Sequence, residues 1–272
     1  MKDHVLELVS QQEGFNAKLN IMREYLQAYA LKIMSDEGAF RTTAFVGGTA
    51  LRFLYGLPRF SEDLDFSTVA NMTGTYPFAR LLKKLKEEFV SAGYEINVTY
   101  NDKKTVIPAF LKFGSLMYEA GISPLKDQKL SIKIEIDTNP PAGAVLKTDI
   151  VNKYFPLSFL SYEVSSLFAG KLHALLSREY TKGRDFFDLG WYLSRFKDLK
   201  PNIEFLQNAL SQTGWKKEMP TAETWIKYVR QVVLEADWKK VRGDVQNFLE
   251  NPADLDVFSK ENLLVLTDDE SS

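Results

Sequence analysis

The 272-residue chain contains no cysteine and only two histidines, His4 and His173. The first absence excludes disulfides, a thiol nucleophile and cysteine-ligated zinc, and it suits a reducing cytoplasm. The second means that any metal site or general base is built mainly from carboxylates, and clustered oxygen ligands favour magnesium or manganese over zinc or copper. No run of about 18 apolar residues, the length needed to span a bilayer, occurs, and the N-terminal MKDHVLELVSQQEG lacks the apolar core of a signal peptide. A soluble, cytoplasmic protein with no membrane partner is expected. An excess of one charge is also missing: the net value is −2. There is thus no global electrostatic footprint for nucleic acid, and only a local basic groove is left to provide one.

What is present begins with a hydrophobic content of 45%, enough to fill a substantial core without staples. Phe15, Leu19, Met22, Leu26, Ala30, Ile33 and Met34 recur at helical spacing over 15–36, closed by Gly38. A strand over 42–46 follows, then Gly47-Gly48, then a short helix that Thr49 can cap and that Gly56 and Pro58 end. Asp63 to Ser67 reads as a strand and 77–92 as an amphipathic helix. Further strands are expected near 95–100, 109–113 and 130–138, the last with Ile132, Ile134 and Ile136 alternating with Lys133, Glu135 and Asp137. Asn139-Pro140-Pro141 opens a looser segment to Pro156. Helices are then expected over 162–177, 184–196, 203–211, 222–236 and 238–249, and TDDESS reads as a frayed acidic tail. The expectation is an α+β protein: a mixed sheet with flanking helices over residues 1–155, and a helical lobe over 156–272.

Asp63 and Asp65 carry the sharpest chemistry. In a strand, residues two apart share a face about 6 to 7 Å apart, while Leu64 and Phe66 turn into the core. Aspartate is disfavoured in strands, and two like charges on one face repel, so a divalent cation would turn a liability into a site. Two such ions could activate an attacking oxygen and stabilise a leaving pyrophosphate. A solvated edge strand with ordinary surface acids is the competing reading. The Gly47-Gly48 turn adds weight, because glycine lets backbone N–H groups and a helix N-terminus approach an anion closely, and the Thr49 hydroxyl can add a donor. Neither GxxxxGK[ST] nor GxGxxG is present, so the chain has no Walker loop or dinucleotide fingerprint.

A strand ending in Gly-Gly-Thr, a short helix and a strand bearing Asp-x-Asp resembles the nucleotidyltransferase superfamily with a DNA polymerase beta-like fold. The fuller string GGTALRFLYGLPRFSEDLDFS is similar to that of the AbiEii/AbiGii nucleotidyltransferase-like toxins of prokaryotic toxin and antitoxin pairs. The superfamily takes a third acid from a later strand. In KLSIKIEIDTNPP that acid is Glu135, which is flanked by isoleucines, or Asp137 as the alternative. GKLHALLSREYTKGRDFFDL resembles the family's later motifs, a lysine-bearing helix followed by Arg-Asp-x-x-Asp.

The resemblance implies a nucleotidyltransferase-like sheet with a helical lobe contributing to the cleft. It implies Asp63, Asp65 and Glu135 on Mg2+ or Mn2+, and Gly47, Gly48, Thr49, Arg59, Ser61, Lys171 and Arg178 around the nucleotide. Lys171 and Arg178, seven apart, would share a helical face, with Asp185 orienting Lys171 or assisting at the acceptor hydroxyl. Arg59 is read equally as a phosphate contact or a brace for the acidic strand, and Ser61 as a turn hydroxyl or a nucleotide contact. Asp188 is assigned a structural role, as is His173. Arg52 is expected at the surface, and Arg184 and Asp188 are read as tying the second helix down or, alternatively, as an exposed pair. Lys182, Arg184, Arg195, Lys197 and Lys200 line either an RNA path or a solvated surface. The implied activity is magnesium-dependent transfer of a nucleoside monophosphate from an NTP to RNA or a tRNA 3′ end. The implied setting is an abortive-infection, phage-defence toxin held by a cognate antitoxin protein. The alternatives are a protein or small-molecule acceptor, and a non-catalytic nucleotide-binding module.

Overall fold

The computed structural model describes residues 1–69 and 78–268. Pro77, where the helix over 77–92 was expected to begin, and the last four residues of the acidic tail lie outside them. Within the described residues the chain forms two compact units. The first comprises 1–56, 60–139 and 147–161, and the second 57–59, 140–146 and 162–272.

The first unit holds a mixed sheet of seven strands in the order β3-β4-β5-β2-β1-β7-β6. These are β1 (Thr43–Val46), β2 (Asp63–Thr68), β3 (Ile96–Tyr100), β4 (Val106–Phe113), β5 (Leu130–Asp137), β6 (Leu146–Asn152) and β7 (Pro156–Tyr162). Its helices are α1 (Lys2–Ser10), α2 (Phe15–Asp36), α3 (Gly47–Tyr55), α4 (Phe78–Ser91) and the single turn α5 (Leu116–Glu119). Alternation builds the core. Ile132, Ile134 and Ile136 of β5, Leu64 and Phe66 of β2, and Ala109, Leu111 and Phe113 of β4 point to the buried side. Helix α2 is buried on most sides and carries Arg23, Glu24 and Gln27 inside with its apolar residues. β2 runs antiparallel to β1 and parallel to β5, and this places its acids at the middle of the sheet.

Strand β6 corrects the expected loose segment up to Pro156, and strand β7 precedes the helices expected to follow it. β6 is an edge strand with an exposed pattern and so has no apolar face to announce it. In β7, Leu157, Phe159 and Ser161 alternate inward.

The second unit contains α6 (Val164–Ser177), α7 (Gly183–Arg195), α8 (Ile203–Gln212), α9 (Trp225–Glu235), α10 (Trp238–Val245), α11 (Asp254–Val257) and α12 (Lys260–Leu266). Phe168 of α6 stacks on Tyr192 of α7 at 4.4 Å and meets Trp225 of α9 edge-on. Residues 140–146 belong to this unit through backbone and side-chain bonds. Asn202 donates to the Gly143 carbonyl at 2.7 Å, and the Val145 amide donates to the Ser166 hydroxyl at 3.0 Å. Gly183 is required by packing, since a Cβ there would stand 1.9 Å from the Val241 carbonyl oxygen. No helix among the described residues is long and apolar enough to cross a membrane.

Candidate active site

In the first unit, antiparallel pairing sets Val46, the last residue of β1, opposite Asp65 of β2. The chain then turns at Gly47, where φ is +79° and a Cβ would lie 2.2 Å from Asp65 Oδ2. The glycine therefore has two tasks: it adopts a backbone conformation that L side chains avoid, and it leaves the space that the Asp65 carboxylate occupies. Helix α3 starts at this residue with Val46 as its N-cap and without a side-chain cap. Its first-turn amides, those of Gly47 and Gly48 among them, lack intrahelical partners and begin beside the strand that carries Asp63 and Asp65.

Thr49 does not cap the helix as expected. It is the third helical residue, fully buried, and its hydroxyl donates to the Asp63 carbonyl, tying α3 to β2. Ser61 accepts a hydrogen bond from Gln27 Nε2 through its carbonyl at 3.1 Å, while its hydroxyl makes none among the described residues. Arg52 is a correction as well. Expected at the surface, it is buried in an ion pair with Glu24 and its guanidinium lies 3.9 Å from the Phe60 ring centre. Burial alone would raise the Glu24 pKa, but Arg52, Lys153 and the Tyr154 hydroxyl outweigh it and hold the carboxyl ionised, below its ordinary value.

Parallel pairing of β2 with β5 sets Asp65 opposite Glu135, Asp63 opposite Lys133 and Ser67 opposite Asp137. Glu135 is thus the acid level with Asp65. Asp137 sits one step further along the face, where its carboxylate accepts the Asn139 amide at 2.9 Å; burial raises its pKa against that bond. The Glu135 carboxylate is held by Lys133, Nζ to Oε2 at 2.8 Å. Burial would lower the Lys133 pKa, but the bond to Glu135 and the charges of Glu135, Asp63 and Asp65 raise it. Lys133 was not singled out in the sequence, although it shares its strand face with Glu135.

Among the described residues no group of three or more potential ligands forms a ready cage for a metal ion. The donor set still fits a hard divalent cation. Mg2+ is commonly held by one or two carboxylates together with waters and substrate phosphates, and Asp63 and Asp65 share one strand face, the latter seated in the hollow that Gly47 leaves.

In the second unit, Arg59 is 2% exposed and donates through Nε and Nη2 to both carboxylate oxygens of Asp188, each at 2.6 Å. Asp188 is fully buried and also takes Lys171 Nζ at 2.7 Å. The exposed Arg184 to Asp188 pair, the alternative reading of their spacing, does not form: Arg184 stands 3.7 Å from Asp244 and its guanidinium lies over Phe248. Burial would raise the Asp188 pKa, yet Arg59 and Lys171 lower it below the usual carboxylate value. Lys171 also lies 3.5 Å from Asp185 Oδ1, and Arg178 Nη1 lies 3.1 Å from Asp185 Oδ2. Arg178 is not on the helical face expected for it. Helix α6 ends at Ser177, and Arg178 has extended backbone, so it reaches Asp185 from the loop before α7. The structure therefore joins Arg59, Lys171, Arg178, Asp185 and Asp188 in one network. Burial, then Arg178 and Arg184, lower the pKa of nearby Lys182 against the Asp185 charge, which raises it. His173 contacts the Thr213 hydroxyl at 3.0 Å, and burial followed by Arg178 lowers its pKa.

A family profile described as "Nucleotidyl transferase AbiEii toxin, Type IV TA system" matches residues 29–260. Among solved structures the chain is similar to JHP933 from Helicobacter pylori, at 20% identity and a TM-score of 0.52, covering 90% of this chain and 88% of that one. It is similar also to an H. pylori chain whose name proposes a nucleotidyltransferase, at 20% identity and a TM-score of 0.52, covering 91% and 92%. At this identity the likeness speaks for the fold. A comparison with curated proteins finds no match.

Proposed function

The chain belongs to the AbiEii nucleotidyltransferase toxin family and is a nucleotidyltransferase, and from that premise we propose that it moves a nucleoside monophosphate from an NTP to a hydroxyl of RNA, a tRNA 3′ end included. The observation that carries this reading is the central strand face: Asp65 over Gly47, Asp63 two residues before it, and Glu135 level with Asp65 across the β2–β5 pair. Asp63, Asp65 and Glu135 would hold magnesium or manganese, which when bound supplies Lewis-acid activation of the acceptor oxygen and charge stabilisation of the leaving group. The uncapped start of α3 is suited to phosphate oxygens, through the amides of Gly47 and Gly48. In the reaction the acceptor oxygen bonds to the α-phosphorus, the α–β bridging bond breaks, pyrophosphate leaves and the hydroxyl proton passes to a carboxylate of this face. Lys171 and Arg178, oriented by Asp185 and Asp188, are assigned to charge neutralisation in the same reaction on the strength of the family motif. The cellular partner on this reading is an antitoxin protein.

The test is incubation of the pure protein with each α-labelled NTP, Mg2+, total RNA and candidate proteins. Label entering RNA, and lost in Asp65→Ala, is the expected result. Label in protein alone would move the acceptor to a side chain, and nucleotide binding without transfer would make the chain a binding module.

A further inference from the structure

Among the described residues, Lys133 is the cation that the sheet places amid the acids of the candidate metal face. Strand alternation puts it on the same side of β5 as Glu135, and the register sets it opposite Asp63. That face carries the carboxylates of Asp63, Asp65, Glu135 and, one step further along, Asp137, and like charges so placed repel one another. The ion pair to Glu135 is short, at 2.8 Å, but unlike the Arg59 to Asp188 pair it is not sealed: the two side chains are 32% and 27% exposed. A buried pair cannot be separated without leaving an uncompensated charge in the interior. A partly exposed pair can be, at small cost. An ammonium and a dication also compete for the same carboxylate charge.

We propose that Lys133 is an exchangeable internal counter-ion: it holds Glu135 when no divalent cation is bound and gives it up when one binds, so that the Lys133 to Glu135 pair and metal binding through Glu135 exclude one another. This rests on the reading of Asp63, Asp65 and Glu135 as metal ligands. Lys133 so defined is a positioning residue. It keeps the acidic face folded and Glu135 in place until the cation arrives, and it sets how tightly the nucleotide-free protein takes up metal.

The experiment is Mn2+ binding to the full chain without nucleotide, read from the electron paramagnetic resonance signal of free Mn2+, for wild type, Lys133→Met, Glu135→Gln and the double variant. Lys133→Met is expected to bind Mn2+ roughly two- to fivefold more tightly, the scale set by losing a partly exposed ion-pair competitor. In the Glu135→Gln background the same substitution is expected to have no effect, because nothing is left to compete for. Unchanged affinity in Lys133→Met overturns the proposal, and so does equal tightening in both backgrounds, which would be a general charge effect. Lys133→Gln repeats the comparison with a polar side chain should methionine disturb the strand. Asp65→Asn separates the two levels of inference. If it abolishes Mn2+ binding while Lys133→Met changes nothing, the counter-ion role alone fails. If wild type does not bind Mn2+, or Asp65→Asn binds as wild type does, the metal reading fails and this proposal fails with it.

Discussion

Gly47 shows how narrowly single residues are constrained at the acidic face. A methyl group there would meet the Asp65 carboxylate at 2.2 Å in a backbone with φ of +79°. Gly214 has almost the same φ, +78°, with nothing within 4 Å of where a Cβ would stand. Gly214→Ala is therefore expected to cost about 1 kcal/mol of stability for the left-handed backbone alone, with transfer unchanged. On the proposed reading of Asp65 as a metal ligand, Gly47→Ala is expected to lose roughly 100-fold or more in transfer, since it displaces that carboxylate by about an ångström. Rates and urea midpoints of the two variants, measured side by side, check this. In the sequence the acids were legible because a period of two puts Asp63 and Asp65 on one face whatever surrounds them. Lys133 was not, because a lysine on a wet strand face looks the same whether it faces solvent or three carboxylates. Arg52 was misplaced for a related reason: its partner Glu24 lies 28 positions away, beyond any local pattern. Thr49 was misassigned because the helix starts three residues earlier than a threonine cap at this position would place it.

At the scale of elements, most helices and strands between residues 15 and 138 and between 162 and 249 were legible to within a few residues, whereas the first helix, the strands β6 and β7, the last two helices and the register between β2 and β5 were not. Register decides which acid stands beside Asp65, and it follows from tertiary pairing. The tie of Asp188 on α7 to Arg59, 129 positions earlier, is of the same kind, and it has a measurable consequence. Because the folded-state pKa of Asp188 is lowered from 3.8, its ionised form stabilises the fold above that value, and the contribution is lost as pH falls through the still lower folded-state pKa. Asp188→Asn leaves Arg59 and Lys171 without their buried carboxylate and is expected to cost about 3–5 kcal/mol near neutral pH. The gap from wild type should narrow as the pH drops below 3.8. Denaturant unfolding of both proteins across the acid range checks the sign, and a gap that widens on acidification would contradict it.

At the scale of the whole molecule, the expected division of the chain into a sheet part and a helical part did not anticipate that the helical unit would draw on residues 57–59 and 140–146. Loop composition around Pro140 and Pro141 says only that a strand has ended. The bonds from Asn202 to Gly143 and from Val145 to Ser166 join positions that no periodicity relates. A fragment of residues 162–272 lacks Arg59 and this segment, so it is expected to unfold without cooperativity, while the full chain retains a sharp transition. Thermal melts followed by near-ultraviolet circular dichroism distinguish the two.

The contact between Gly47 and Asp65 also has a genealogical reading. A side chain at position 47 requires the carboxylate at 65 to shift, so a change at one position bears on the other. On the proposed reading of the acidic strand, a related chain with alanine in place of this glycine would have disarmed that strand, even with every aspartate still in place. On that reading one small residue would serve as a marker that tells a working copy from a silent one.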